Sequence, residues 1–271
     1  MKNDFQFKDV YNCDDLIEIV SILRAPGGCP WDAEQTHESI RRDFIEETYE
    51  VIEAINKNST EMLREELGDV LLQVVFHTLI ETEKGTFTFS DVCDEICKKL
   101  IIRHPHVFGD VNVSSTEEVL TNWDAIKKAT KKQTTTTEAL LSVPREFPAL
   151  MRAAKVQKKA AKAGFDWDNI DGAVEKLHEE ISEVEEALKN GKKEEIKDEI
   201  GDLLFAAVNV SRFADTDPEE ALTGATDKFT NRFSIVERLA EEEGIDIKTA
   251  DIDSLDVLWE KAKTIIKEQR L

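Results

Sequence analysis

Cysteine is scarce in this chain: four thiols, Cys13, Cys29, Cys93 and Cys97, in 271 residues. That is too few for a disulfide scaffold, and Cys93 and Cys97, one helical turn apart, read as reduced, packed thiols rather than as zinc ligands. No apolar run approaches the roughly 18 residues of a membrane-spanning helix. The Met1-Lys2-Asn3-Asp4 start has no apolar signal core behind it, so a cytoplasmic location is the expectation. Strand-like alternation is nearly absent and helical periodicity dominates, which predicts an all-α fold. Positive charge is in deficit too: 35 Lys and Arg stand against 57 Asp and Glu, for a net charge of −22. Without a cation excess the chain is not expected to bind nucleic acid or anionic membranes. A nucleotide remains open, because a divalent cation can neutralise carboxylates and phosphates together.

What the chain has in excess is carboxylate, arranged as two copies of one pattern. Glu46-Glu47-x-x-Glu50 followed by Glu66-x-x-Asp69 recurs as Glu179-Glu180-x-x-Glu183 followed by Glu199-x-x-Asp202, at a constant offset of 133 residues. Acidic richness alone produces chance matches, but the apolar context repeats as well. Glu66-Leu67-Gly68-Asp69-Val70-Leu71 aligns with Glu199-Ile200-Gly201-Asp202-Leu203-Leu204 in the same register. A duplicated helical unit of about half the chain is therefore expected. The boundaries read as a first domain over 1–132, a linker region over 133–150 around the threonine run, and a second domain over 151–271.

Helices are expected over about 16–24, 38–56, 60–82, 91–103 and 117–132, with Pro26 to Asp32 as loop. In the second half they run to about Asn190, to about Ala214, to Glu243 and from Leu255 to Arg270. At 100° per residue, Glu46, Glu47 and Glu50 share one helix face, and Glu66 and Asp69 share a face of the next helix. Two consecutive helices can thus turn five carboxylates toward one cleft. A solvated charged face is the ordinary reading of such a pattern. The apolar neighbours of Asp69 and Asp202 argue instead for buried carboxylates that want a cation, and the preceding Gly68 and Gly201 argue for a close approach to the backbone. Oxygen ligands without His or Cys suit Mg²⁺, with Mn²⁺ as a substitute. A di-iron bundle needs paired Glu-x-x-His motifs. Glu34-x-x-His37 and Glu175-x-x-His178 fall at different places in the repeat, which disfavours it. His104-Pro105-His106 has no counterpart in the second half and reads as structural.

These motifs, with Cys29-Pro30-Trp31-Asp32, Arg103-His104-Pro105-His106-Val107-Phe108 and Gly164-Phe165-Asp166-Trp167, resemble the MazG family of nucleoside triphosphate pyrophosphohydrolases, in the all-α NTP pyrophosphatase superfamily. The resemblance covers nearly the whole chain. It implies Mg²⁺-dependent hydrolysis of nucleoside triphosphates to monophosphate and pyrophosphate, two tandem helical bundles, and a homodimer whose subunits complete each bundle. On that pattern Glu180, Glu183, Glu199 and Asp202 would hold the metal, and Glu179 is the candidate base. Lys176, Lys228, Arg232 and Lys263 would clamp phosphates, and Trp259 would stack on the base. Asn231 stands where relatives commonly carry a further arginine. A second set, Glu47, Glu50, Glu66 and Asp69, would form an equivalent metal site in the first half. There Asp43 falls opposite Lys176, so a phosphate would meet an anion, and the second half is the expected catalytic one. Two alternatives stay open: a metal-stabilised, non-catalytic helical scaffold, and a pyrophosphohydrolase restricted to dUTP or a damaged nucleotide.

Overall fold

The computed structural model describes residues 5–131 and 135–269, and among them there are helices and no strand. The chain forms two compact units that divide between residues 131 and 132. The first unit contains α1 (Cys13–Arg24), α2 (Pro30–Glu34), α3 (Arg41–Asn56), α4 (Thr60–Glu83), α5 (Phe89–Arg103), α6 (Pro105–Phe108) and α7 (Thr116–Lys131). The second contains α8 (Thr136–Leu141), α9 (Ala149–Ala161), α10 (Ile170–Asn190), α11 (Lys193–Phe213), α12 (Pro218–Glu243) and α13 (Ile252–Gln269).

Capping chemistry sets many of the helix starts. Asn12 and Asp15 form a reciprocal capping box at α1, as do Thr88 and Asp91 at α5, each satisfying amide donors that the first turn leaves orphaned. Ser59 accepts from the Met62 amide at the start of α4. Two expectations change. Part of the Pro26–Asp32 loop is helical, because Pro30 sits at the first helical position, where its missing N–H costs nothing. Within the expected linker, Thr135 and Glu138 form a capping box and start α8, which packs on α9 in the second unit. Threonine supplied a cap there instead of coil. Residues 133–134 of that linker, the expected domain end at 132, and Arg270 lie outside the described residues.

Each unit has its own core. In the first, Val20 of α1, Ile40 and the Val75, Phe76, Leu79 and Ile80 face of α4 pack together. In the second, Val236 and Ala240 of α12 meet Leu258 and Ala262 of α13. Within their units α3 packs along α4 and α10 along α11, and these two pairs carry the carboxylates. Ala173 and Ala187 are the buried apolar residues of α10. Cys13, Cys93 and Cys97 are exposed and unbridged, so Cys93 and Cys97 are free thiols as expected but are not packed. No helix among the described residues is long and apolar enough to cross a membrane.

Candidate functional site

In the second unit α10 turns into α11 at Gly191, whose φ of +73° is a left-handed value that glycine adopts without a Cβ clash. That turn brings Glu180 of α10 beside Glu199 and Asp202 of α11. One carboxylate oxygen from each lies within 4.8 Å of the others. Glu180 is the buried member, at 4% exposure; Glu199 is half-buried and Asp202 is exposed. The expectation of a buried Asp202 is thus corrected. Its apolar sequence neighbours Leu204 and Phe205 are themselves exposed, so they do not enclose it. Gly68 and Gly201 also depart from expectation, since a Cβ at either would meet nothing within 4 Å. Glu183 borders the three-oxygen group one turn along α10. Glu183 is exposed, yet desolvation by the neighbouring protein, then the hydrogen bond and charge of Glu180, raise its carboxyl above the ordinary value.

Lys176 is the cation of this cluster. Its ammonium lies 2.6 Å from Glu180 and 2.9 Å from Glu179. Its hydrogen bonds to Glu180, then to Glu179, raise its pKa above the usual lysine range. A buried carboxylate is costly without such a partner. Glu179 itself is exposed on the helix surface.

The first unit has the same carboxylates and lacks the cation. Glu47, Glu66 and Asp69 offer oxygens within 4.8 Å of one another, all half-buried. Burial, followed by repulsion from Asp69 and Glu50, raises the Glu47 carboxyl; burial and Glu50 do the same to Glu66. Asp43 occupies the place of Lys176, and the adjacent Arg42 pairs with Glu46 at 3.0 Å on the exposed face.

The other expected ligands form a separate group on α12 and α13. The Arg232 guanidinium sits 5.7 Å from the Trp259 ring centre, and its Nε is buried with no hydrogen-bond partner. Phe229 packs 5.2 Å from the same indole. Lys263 pairs with Glu260 at 2.5 Å, and Lys228 is exposed. None of these four lines the cavity of about 590 Å³ that borders Lys176, Glu180 and Asp202.

The cavity wall holds residues that the motif pattern did not single out: Gln157 of α9, with Asn209 and Arg212 of α11. Asn209 offered a signal, as a buried polar residue inside the apolar run from Leu203 to Val210. Arg212 forms a two-pronged ion pair with Asp166 and donates from Nε to Asn209 at 2.8 Å. His37 bonds His77 and Glu81, each at 2.7 Å, and belongs to neither carboxylate group. His104 caps the end of α5 by bonding the Leu100 carbonyl, in keeping with a structural role.

Three carboxylate oxygens, partly open to solvent and free of His and Cys, fit a hard divalent cation that keeps some of its waters. The MazG nucleotide pyrophosphohydrolase domain profile matches residues 35–108 and 170–236. These spans contain both carboxylate sets. The chain is 46% identical over 250 residues to the nucleoside triphosphate pyrophosphohydrolase/pyrophosphatase MazG of Thermotoga maritima, covering 92% of this chain and 95% of that protein. It is 43% identical over 253 residues to the nucleoside triphosphate pyrophosphohydrolase of Escherichia coli, covering 92% and 96%. An uncharacterized Bacillus subtilis protein, YabN, is 49% identical over 246 residues that cover 90% of this chain and 50% of that one. With two matched domains and such identity along nearly its whole length, the chain belongs to the MazG nucleotide pyrophosphohydrolase family.

Proposed function

We propose that the chain hydrolyses nucleoside triphosphates to nucleoside monophosphate and pyrophosphate in the cytoplasm. Glu180, Glu183, Glu199 and Asp202 of the second domain, at 151–271, hold Mg²⁺, or Mn²⁺ in its place. The observation that carries this reading is the set of three carboxylate oxygens within 4.8 Å of one another beside a cavity of nucleotide size. A divalent cation bound there lowers the pKa of a water and offsets the charge of the phosphates.

The chain's own residues supply orientation and charge. Glu180 is fixed by burial and by Lys176, so its oxygens are preorganised rather than solvated. With the charge of Glu180 offset by a bound cation, Lys176 would be free to donate to a phosphate and Glu179, its other partner, would be free to act as a base. Arg232 offers an unpaired buried Nε as a further phosphate donor, steadied over Trp259. Lys228 and Lys263 add exposed positive charge from the same two helices. In the first unit Glu47, Glu50, Glu66 and Asp69 hold a cation without turnover, since Asp43 would repel the phosphate that Lys176 attracts. A homodimer completes each bundle. Exposed Ile181, Ile200 and Leu204, on the helices that carry the second carboxylate set, support that assembly.

Pyrophosphate release from a panel of ribo- and deoxyribonucleoside triphosphates, with and without EDTA, tests the reading. Release across the panel that EDTA abolishes is expected. Release from dUTP or a damaged nucleotide alone would favour the restricted enzyme; no release from any would favour the scaffold.

A further inference from the structure

The cavity beside Lys176 and Glu180 is walled on other sides by the loop at Phe165 and Trp167 and by Phe205 of α11. These rings offer flat apolar faces suited to a planar heterocycle. Gly172 admits the indole, because a Cβ there would lie 2.3 Å from Trp167 Cδ1. Gln157 of α9 also lines this wall and is 7% exposed. Its Nε2 donates to the Phe205 carbonyl at 2.7 Å. A carbonyl only accepts, so that bond fixes the orientation of the amide and leaves Oε1 as its free acceptor. This buried oxygen has no partner. An unsatisfied buried acceptor is costly enough that its presence on a cavity wall calls for a donor arriving with the ligand.

The repeat shows that the polar wall is not a demand of the fold. At the 133-residue offset Asn209 and Arg212 correspond to Phe76 and Leu79, which lie in the apolar core of the first unit. Asn209 and Arg212 therefore accompany Lys176 and are lost along with it. Trp259, the expected base-stacking ring, packs with Arg232 and Phe229 and does not line the cavity.

We infer that this cavity receives the nucleobase of the triphosphate and that Gln157 Oε1 accepts a hydrogen bond from an N–H on the base's pairing edge. The inference rests on the pyrophosphohydrolase reading and makes Gln157 a base-binding residue for it. Every common base carries such a donor, so the contact holds a base without selecting strongly among them.

The test compares kcat/KM for ATP with that for purine riboside triphosphate, which lacks the exocyclic amine, in the wild-type protein and in Gln157→Met. The wild type is expected to favour ATP by about tenfold, and the preference should fall toward one in Gln157→Met. Because each preference is a ratio measured on one protein, a partial loss of folded material cancels. A wild-type preference near one overturns the inference without recourse to any variant. So does an undiminished preference in Gln157→Met, or a shift in its ATP to dATP ratio, which would place the sugar at Gln157. A wild type that releases no pyrophosphate from any nucleotide overturns the hydrolase reading itself, and this inference with it.

Discussion

Asp202→Asn should change the stability of the second unit in opposite directions with and without a divalent cation. The substitution keeps the side chain's shape and removes one negative charge. Oxygens of Glu180 and Glu199 lie within 4.8 Å of Asp202. At that separation a like-charged pair costs about 0.9 kcal/mol at the dielectric of water and about 3.5 kcal/mol at an effective value near 20. Asp202 is exposed and Glu199 half-buried, so the lower figure governs. The sum over both pairs is about 2 kcal/mol. In EDTA the variant should therefore melt higher than the wild type, by roughly 5 °C for a unit of this size. With Mg²⁺ the order should reverse: the wild type gains about 2.7 kcal/mol at a hundred times Kd, and the variant, short of one ligand, gains less. Scanning calorimetry in EDTA and in excess Mg²⁺ reads both arms, and the first unit's carboxylates are common to the two proteins and cancel. A variant less stable than the wild type in EDTA would refute the repulsion argument. Equal stabilisation of both proteins by Mg²⁺ would refute Asp202 as a ligand.

Asp202→Ala should abolish most pyrophosphate release while Asp69→Ala keeps much of it, because only the second cluster has a lysine beside it; equal losses would mean that both units turn over substrate. Lys176→Met strips buried Glu180 of its 2.6 Å partner and should destabilise the metal-free protein by about 1–3 kcal/mol, with Mg²⁺ restoring much of the loss. An unchanged melting temperature in EDTA would show that the ion pair contributes nothing. Acid should weaken the first unit through Glu81, whose pKa is drawn down from 4.5 to about 2 by hydrogen bonds from Lys84, then Thr86 and His37. Since the folded value lies below the unfolded one, this contribution is complete above roughly pH 4.5 and disappears as the pH falls toward about 2. Glu81→Gln should accordingly flatten the acid limb of a melting-temperature profile, and an acid limb identical to the wild type's would discard the cause.

The helices, the duplication and the pairing of carboxylates across consecutive helices were all written in local order. Periodicity at 100° per residue places Glu180 and Glu183 on one face whatever the rest of the chain does. A constant offset of 133 residues carries the same geometry to Glu47 and Glu50. The caps at Asn12 and Thr88 start α1 and α5 at Cys13 and Phe89, ahead of the expected starts at about 16 and 91. The contrast between Lys176 and Asp43 was legible for the same reason, being a matter of register.

Burial and partnership were decided only in three dimensions. Apolar sequence neighbours suggested a buried Asp202, yet it is Glu180 that is enclosed, because burial depends on which helix packs over a side chain and not on what flanks it in sequence. Gly68 and Gly201 looked like sites of close approach and face open space, whereas the close approach occurs at Gly172 under Trp167. Gln157 and Phe205 are 48 residues apart, and nothing local announces that one amide will bond the other's carbonyl and leave its own buried oxygen without a partner. Helical periodicity fixes the direction of a side chain relative to its own axis. Only the packing of α9 against α11 decides what that side chain meets.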